Sequence, residues 1–555
     1  NLKTELRATI ELFKNMRVSG QIVDVRNRRI FKGEIQVSGN RIVSIIEKES
    51  VDDQFILPGF IDAHVHVESS MLVPSEFARL AVVHGTVSTV SDPHEIGNVL
   101  GVVGVEYMIE NGNQVNFKFN FGAPSCVPAT TFETAGAEIT PEEVEYLLKK
   151  PEIKYLAEMM NWPGVLFKDE TVYKKLDIAK ALGKPIDGHA PGLRGEQAEQ
   201  YISAGISTDH ECFTADEARD KLKHGMKIAI REGSAAKNFE ALVELFGEAP
   251  EMLMFCSDDK HPDNLVESHI NDLVKRTLAK GYDLFDILQA ACITPIDHYN
   301  LDVGALQEGD YADFILADNL TDFNIKATYI NGELVAQNGT SLIPRVQNDI
   351  INQFNCERIT AESIKIKADS GKVNVIEALD GQLITNCLVL DTCIDKDGFA
   401  ISDVDQDMLK MVVVNRYQNA APAIAFIKNF KLSEGALASS VGHDSHNIIA
   451  VGVDDESIVK AINLIIDAKG GVSAVSETHE QILPLPVAGI MSAEDGYEIA
   501  ESYTSIDKMT KTMGSTLHSP FMTLSFMALL VIPNLKLSDL GLFDGQKFEF
   551  KALFN

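Results

Sequence analysis

Long apolar stretches, clustered basic residues and paired cysteines are all scarce in this sequence, and each scarcity removes a class of function. The longest apolar run, residues 521–532, is broken by Thr523 and Ser525 and closed by Pro533. A bilayer span takes about 20 apolar residues, so the run reads as a core segment and no membrane crossing is expected. Lys and Arg number 49 against 81 Asp and Glu, a formal charge of −32, and no Lys/Arg cluster of any length occurs. Phosphate backbones and anionic lipid surfaces recruit such clusters, so neither nucleic acid nor a membrane surface is an expected partner. A small neutral substrate stays compatible with this charge. Cysteine occurs seven times, dispersed at Cys126, Cys212, Cys256, Cys292, Cys356, Cys387 and Cys393, with no C-x-x-C pair. An odd, scattered set suits reduced thiols and a cytoplasmic home. Residues 1–18 mix charges into a helix-like pattern where a secretory signal would hold an unbroken apolar stretch.

What is present is globular. The 555 residues are 45% hydrophobic and 23% charged, enough for three or four folded units with a large core. Residues 18–46 read as short β-runs punctuated by Gly20, Gly33 and the turn pair Gly39-Asn40, and the same texture returns at 310–316 and 325–335, with a hairpin signal at Asn331-Gly332. The reading is one small β domain in two parts, 1–57 and 304–345. Between them, residues 58–303 alternate strand-like with helix-like runs. Expected strands are 60–66, 86–92, 117–121, 155–159, 185–189, 206–210, 226–231 and 253–258; expected helices include 141–149, capped by Thr140, then 171–182, 196–204 and 214–224. Eight such β-then-α units predict an α/β fold with a (β/α)8 TIM-type barrel, whose active site lies at the C-terminal strand ends. A doubly wound sheet would show a Gly-rich phosphate turn after its first strand, and none is there. Residues 346–555 read as a C-terminal α/β or α+β domain.

His64-Val65-His66 ends the first barrel strand. Positions i and i+2 of a strand share a face, so two imidazoles there can grip one ion. Such a pair alone is weak; its position strengthens it. Glu158 ends the fourth strand, His189 the fifth, His210 the sixth and Asp258 the eighth, all at the rim where a barrel gathers its catalytic groups. Four imidazoles and two carboxylates exceed what one four-coordinate ion needs, so the set predicts two divalent ions bridged by Glu158, with Mn, Fe and Zn all suited. Water held by such a pair ionises near neutral pH and can attack an electrophilic carbon.

The run LPGFIDAHVHVESSMLVPSEFARLAVVHGTVSTVSDPHEIGNVLG, residues 57–101, resembles the amidohydrolase superfamily and, within it, the bacterial adenine deaminases. PGFIDAHVH is the broad signature; ESSML, SEFA and DPHEI mark the narrower branch. GHAPGL (188–193), STDHECFT (207–214), CSDDKHPDNL (256–265), SSVGHDSHNIIAVG (439–452) and LPLPVAGIMS (483–492) extend the resemblance over nearly the whole chain. It implies a binuclear site of His64, His66, Glu158, His189, His210 and Asp258, and the conversion of adenine and water to hypoxanthine and ammonia in purine salvage. That chemistry needs an acid-base shuttle. The resemblance favours Asp258 for it over the adjacent Asp259; strand alternation would turn one of the two inward and the other outward. Glu211 is a further candidate, facing away if the sixth strand runs on and toward the substrate if a turn intervenes. Some relatives bridge their metals through a carboxylated lysine on the fourth strand, but Lys154 stands four residues before Glu158 and is the poorer bridge.

Other residues carry two readings. Asp92, His94 and Glu95 follow the second strand, either orienting substrate and backing a ligand or forming a helix's first turn with Asp92 as its cap. The resemblance favours His94 and Glu95 as substrate-binding. Glu68, Ser69 and Ser70 follow the histidine pair and either touch substrate or are loop polarity. Cys212 and Cys256 read as buried filler rather than soft-metal ligands. His84, His224, His269 and His298 stand in helix-like stretches without partners and read as ordinary packed or surface histidines. Residues 439–447 place polar groups between apolar strands, which is costly if they are buried unpaired. His443 and His446 are therefore expected to close over the barrel mouth and touch substrate, the alternative being a domain-interface hydrogen-bond network. A homo-oligomer, most simply a dimer, is expected on general grounds. The rival functions are another amidohydrolase acting on a different nucleobase or cyclic amide, and a catalytically inactive metal-binding scaffold.

Overall fold

The computed structural model describes residues 15–369 and 371–555. Eight strands, Phe60–Val65, Thr86–Ser91, Lys118–Ala123, Ile153–Met159, Ile186–Gly188, Thr208–Asp209, Lys227–Arg231 and Leu253–Cys256, pair in chain order. Every pairing is parallel. A bridge between Val65 and Asp258 joins last to first: the Asp258 amide donates to the His64 carbonyl at 2.9 Å and the His66 amide to the Asp258 carbonyl at 3.2 Å. The sheet thus closes as the expected (β/α)8 barrel. Its first two strands, FIDAHV and TVSTVS, are buried at every residue because helices cover the outside and side chains fill the inside. Helices Pro141–Leu148, Glu170–Ala181, Gly195–Ser203 and Ala215–Lys223 fall where the sequence places them. The first is opened by a reciprocal cap, the Thr140 hydroxyl accepting from the Glu143 amide while the Glu143 carboxylate accepts from the Thr140 amide.

A second sheet runs in the order Thr340–Ser341, Glu333–Gln337, Ile325–Ile330, Phe314–Ala317, Phe55–Pro58, Asn15–Asp24, Arg29–Ser38 and Arg41–Glu47. Its two halves come from either side of the barrel segment and meet where Phe55–Pro58 pairs antiparallel with Phe314–Ala317. The helix-like pattern expected over residues 1–18 does not hold at its end: Asn15–Asp24 is a strand whose Val18 and Ile22 pack against Ile35, Ile56 and Phe314. Period-2 burial overrides the local helical spacing there. The rest of that expectation, residues 1–14, lies outside the described residues.

The C-terminal region carries an eight-stranded sheet in the order Thr385–Asp391, Lys372–Ala378, Ala423–Lys428, Met408–Val414, Ile448–Gly452, Ala436–Ser439, Gly471–Val475 and Glu480–Pro484. Helix Asp455–Ala468 buries Ile458, Ile462 and Ile465 against it. A three-stranded sheet, Leu535–Ser538, Gly541–Asp544 and Glu549–Phe550, follows. The apolar run at 521–532 is core, as read, and contributes the buried helix Pro520–Phe526. One hydrophobic cluster contains Ile61 and Val90 of the barrel together with Leu437, Ile449 and Phe526, so the C-terminal region is packed onto the barrel and not tethered to it. Buried Glu76 adds polar ties across the junction, accepting from Arg345 and from the Gly496 amide, and is also paired with Arg79 on its own helix. Among the described residues no helix is long and apolar enough to cross a membrane.

Candidate active site

The strand ends bring six side chains together. His64 Nε2 and His66 Nε2 lie 3.2 Å apart, and Asp258 Oδ1 stands 3.5 and 3.2 Å from them. Glu158 reaches both sides of the group: Oε1 is 3.4 Å from His66 Nε2, while Oε2 is 2.8 Å from His189 Nδ1 and 3.1 Å from His210 Nε2. The His64 and His210 rings stack with centroids 3.8 Å apart. None of the six is more than 6% exposed. Local structure aims them. The Tyr201 hydroxyl accepts from the His189 amide at 3.0 Å and donates to the Met159 carbonyl at 2.7 Å, locking the fourth strand end to the fifth. At Gly188 a Cβ would collide with the Thr208 carbonyl, so only glycine lets the fifth and sixth strands approach this closely.

Asp258 adopts φ 54, a left-handed backbone that aspartate tolerates better than most residues. The strand has already ended at Cys256, so the in-or-out alternation expected for Asp258 and Asp259 does not apply, and both carboxylates turn toward the cavity. Glu211 behaves alike: the sixth strand stops at Asp209, and the turn that follows swings Glu211 Oε1 to 3.5 Å from His210 Nε2 and 3.7 Å from His189 Nδ1. Arg231, the last residue of the seventh strand, joins these acids. Its guanidinium pairs with Glu211 through both Nη atoms and donates to Asp258 Oδ2 at 2.7 Å. Burial alone would favour a neutral Asp258, but the Arg231 charge, with hydrogen bonds from His64 and His66, holds its carboxyl well below the usual range. Burial likewise opposes ionisation of Glu158, and the His189 charge with bonds from His189 and His210 outweighs it.

A second polar layer descends from the C-terminal region. Asp444 Oδ1 is 3.5 Å from His94 Nε2, and His94 Nδ1 is 3.1 Å from Asp92 Oδ2 and 3.5 Å from Glu158 Oε1. Asp92 accepts from the His94 amide at 3.0 Å, although the residue preceding the helix His94–Gly112 is Pro93, so Asp92 acts one position earlier than a normal cap. His443 Nδ1 lies 3.5 Å from Glu95 Oε1 and 3.7 Å from Asp444 Oδ1. Burial opposes a charged His443, but Glu95, Asp259 and Asp444 raise its pKa to about 9. Ser69 stands behind this layer, its hydroxyl shared by Glu95 Oε1 at 2.9 Å and Asp259 Oδ1 at 2.5 Å. Glu68 accepts from the Ile96 amide at 3.3 Å, and burial with the nearby Glu95 pushes its pKa to about 8. His446 is fully buried with Nε2 3.9 Å from Glu95 Oε2.

The cavity between these groups is lined by His66, His94, Glu158, His189, His210, Glu211, Asp258, Asp259, His443 and Asp444, and on its apolar side by Met160, Leu383, Phe526 and Leu529. Glu68, Ser69, Glu95 and His446 stand one layer back from that lining. Arg231 and the apolar residues were not picked out from the sequence. Arg231 ends a barrel strand, so the positional rule that selected His189 and His210 would have found it. Lys154 points out of the barrel to Asp302, 3.1 Å away. Cys212 and Cys256 are buried thiols whose pKa values burial pushes up. His269 does have a partner, contrary to expectation: it is buried with Nε2 2.8 Å from Asp62 Oδ2 and Nδ1 2.7 Å from Thr86 Oγ1. His84 and His298 also find partners, the Leu265 carbonyl and Ser207.

Imidazole and carboxylate at this density form a donor set for divalent cations, and several groups of three or four such atoms lie close enough to share one ion. His66 Nδ1 lies 3.1 Å from the Asp92 carbonyl, which turns Nε2 of the same ring toward the other donors. These residues fit a divalent metal site. The amidohydrolase family model matches residues 55–335, and the model of the adenine deaminase C-terminal domain matches residues 382–549. An adenine deaminase of Salinibacter ruber is 54% identical over 539 residues, 97% of this chain and 98% of that protein. Those of Sulfurovum sp. and Methanosarcina mazei are 53% and 50% identical, each over 96% of this chain and 99% of the relative. With both matched regions joined in one cavity, the chain belongs to the adenine deaminase branch of the amidohydrolase family.

Proposed function

We propose that this protein hydrolyses adenine to hypoxanthine and ammonia, as an enzyme of purine salvage. The observation that carries the reading is the convergence of His64, His66, Glu158, His189, His210 and Asp258 at one barrel mouth, beside a cavity lined by all of them but His64 and, from the C-terminal region, by Leu383, Phe526 and Leu529 together with His443 and Asp444. These six residues would hold two divalent ions, Mn, Fe or Zn, with Glu158 shared between them. When bound, the ions supply a water acidic enough to be a nucleophile near neutral pH. Asp258 accepts the proton of the attacking water and returns it to the departing amino group, its ionised form being maintained by Arg231. Glu211, fixed by the same guanidinium, passes the second proton of that water, released as the C6 oxygen becomes a carbonyl, to the ring nitrogen, so one water proton leaves with ammonia and the other stays on hypoxanthine. His94, His443 and Glu95, tied to one another through Asp444 and Ser69, orient the ring, with Glu68 and His446 supporting them from behind.

In this reading residues 1–57 and 304–345 are two parts of one β domain, 58–303 the catalytic barrel and 346–555 the domain that covers the site. Seven free cysteines favour a reducing, cytoplasmic setting. A homodimer is the expected assembly and is measurable by light scattering. The test is ammonia release by metal-loaded protein from adenine, adenosine, cytosine, guanine and dihydropyrimidines. Turnover of adenine alone, lost on chelation and restored by divalent metal, is the expected result. Turnover of another ring instead would assign the chain to a different amidohydrolase activity, and bound metal without turnover to a scaffold.

A further inference from the structure

Leu383 and Phe526 both line the catalytic cavity, yet they come from remote segments, one just ahead of the strand Thr385–Asp391 and the other at the end of the helix Pro520–Phe526. A single side chain joins them. Lys536 Nζ donates to the Leu383 carbonyl at 2.6 Å and to the Phe526 carbonyl at 2.9 Å. Lys536 is fully buried, and neither partner is a carboxylate. An ammonium in such a place is costly, and burial lowers its pKa to about 7. An apolar side chain would pack there at lower cost, but it would leave the Leu383 carbonyl without its donor and the Phe526 carbonyl with only the Leu529 amide, 3.2 Å away. Charged or neutral, a lysine amine supplies both hydrogen bonds.

The strand that carries Lys536 is stitched to the same two segments along its length. The Leu537 amide donates to the Met527 carbonyl at 3.0 Å, and the Leu535 carbonyl accepts from the Thr385 hydroxyl at 2.9 Å. Phe526 presents its ring to His443 with centroids 5.0 Å apart. The strand Leu535–Ser538 is therefore tied to both segments that carry the apolar lining, one of which also packs against His443.

We propose that Lys536 is a positioning residue: by holding the Leu383 and Phe526 carbonyls it fixes the apolar wall against which the purine ring packs, and so sets how tightly the cavity fits that ring. The inference rests on the adenine reading above. Its test compares full-length, metal-loaded wild type with Lys536→Met, using adenine and 2-substituted adenines. Loss of wall placement is loss of uniform binding, so KM for adenine rises about fivefold to tenfold while kcat changes by less than about threefold. Discrimination against the bulkier 2-substituted rings shrinks in parallel. Lys536→Gln keeps N–H donors without a charge and recovers part of the KM change. Unchanged KM in Lys536→Met, or a fall in kcat that tracks lost metal, overturns the inference. If Lys536→Met does not fold, Lys536→Gln carries the KM test: its shorter side chain cannot span both carbonyls, so an unchanged KM there overturns the inference. Failure of the wild type to release ammonia from adenine sinks the functional reading instead, so the two failures are separable.

Discussion

The two sides of the catalytic cavity are built by different means. The barrel side is a rim of strand ends in one closed parallel sheet, where alternation and short contacts among His64, His66, Glu158, His189, His210 and Asp258 leave each charged side chain little freedom. The opposite side is assembled from Leu383, His443, Asp444, Phe526 and Leu529, which stand on loops and helix ends and depend on ties to neighbouring backbone for their placement. The first side holds the six-residue cluster; the second adds apolar shape through Leu383, Phe526 and Leu529 and polar contacts through His443 and Asp444. Substitutions on the barrel rim are therefore expected to act on kcat, and those on the apolar wall on KM.

The sharpest way to break this division is Glu158→Gln. The amide keeps the shape but removes the charge shared by His66, His189 and His210, so kcat falls by about a thousandfold or more and bound metal drops with it. Ammonia release and metal analysis together check this; a change confined to KM would erase the division. Asp444→Asn tests its boundary, because Asp444 belongs to the C-terminal region yet faces His94 and His443 at 3.5 and 3.7 Å. A fall of about 10–100-fold in kcat/KM carried by kcat is expected, as for other groups that orient a site. A pure KM effect would move Asp444 to the fitting side.

The smallest expected effect concerns how the two sides stay joined. His261 Nδ1 lies 2.7 Å from the Tyr503 hydroxyl, linking the barrel to the helix Gly496–Thr512. Burial, with the nearby His443 charge, lowers the His261 pKa from 6.5 to about 3. The folded form therefore binds its proton later than the unfolded chain. The stability it contributes is complete above about pH 6.5 and is lost as pH falls toward 3. Between pH 7 and 5 this amounts to about 2 kcal/mol, read as a Tm decrease of a few degrees that His261→Gln reduces. An identical Tm shift in that variant would remove His261 from the junction.

Much of the barrel was legible because its strands are short β-runs separated by amphipathic helices, a pattern that fixes both count and order. The rim residues followed from position alone. What could not be read was any feature created where a strand stops. Asp258 leaves the sheet through a left-handed residue and Glu211 through a turn after only two strand residues, so neither side chain's direction follows from alternation. Arg231 stands at the expected end of the seventh strand, where position alone would flag it, but its pairing with Glu211 and Asp258 from two other strands is not legible in the sequence. The apolar wall was hidden for a different reason: Leu383, Phe526 and Lys536 meet only through tertiary packing, and nothing in their spacing distinguishes them from ordinary core. His269 shows the same limit, since Asp62 is far away in the chain.

The β-sheet shared by residues from both flanks of the barrel imposes an order of assembly. Phe55–Pro58 leads directly into the strand that presents His64 and His66, but its neighbour Phe314–Ala317 is synthesised about 250 residues later, tens of seconds at about 5–20 residues per second. Until then one edge of the emerging sheet is open. A nascent chain stalled within the barrel segment would therefore display an unpaired strand edge beside an unfinished catalytic centre.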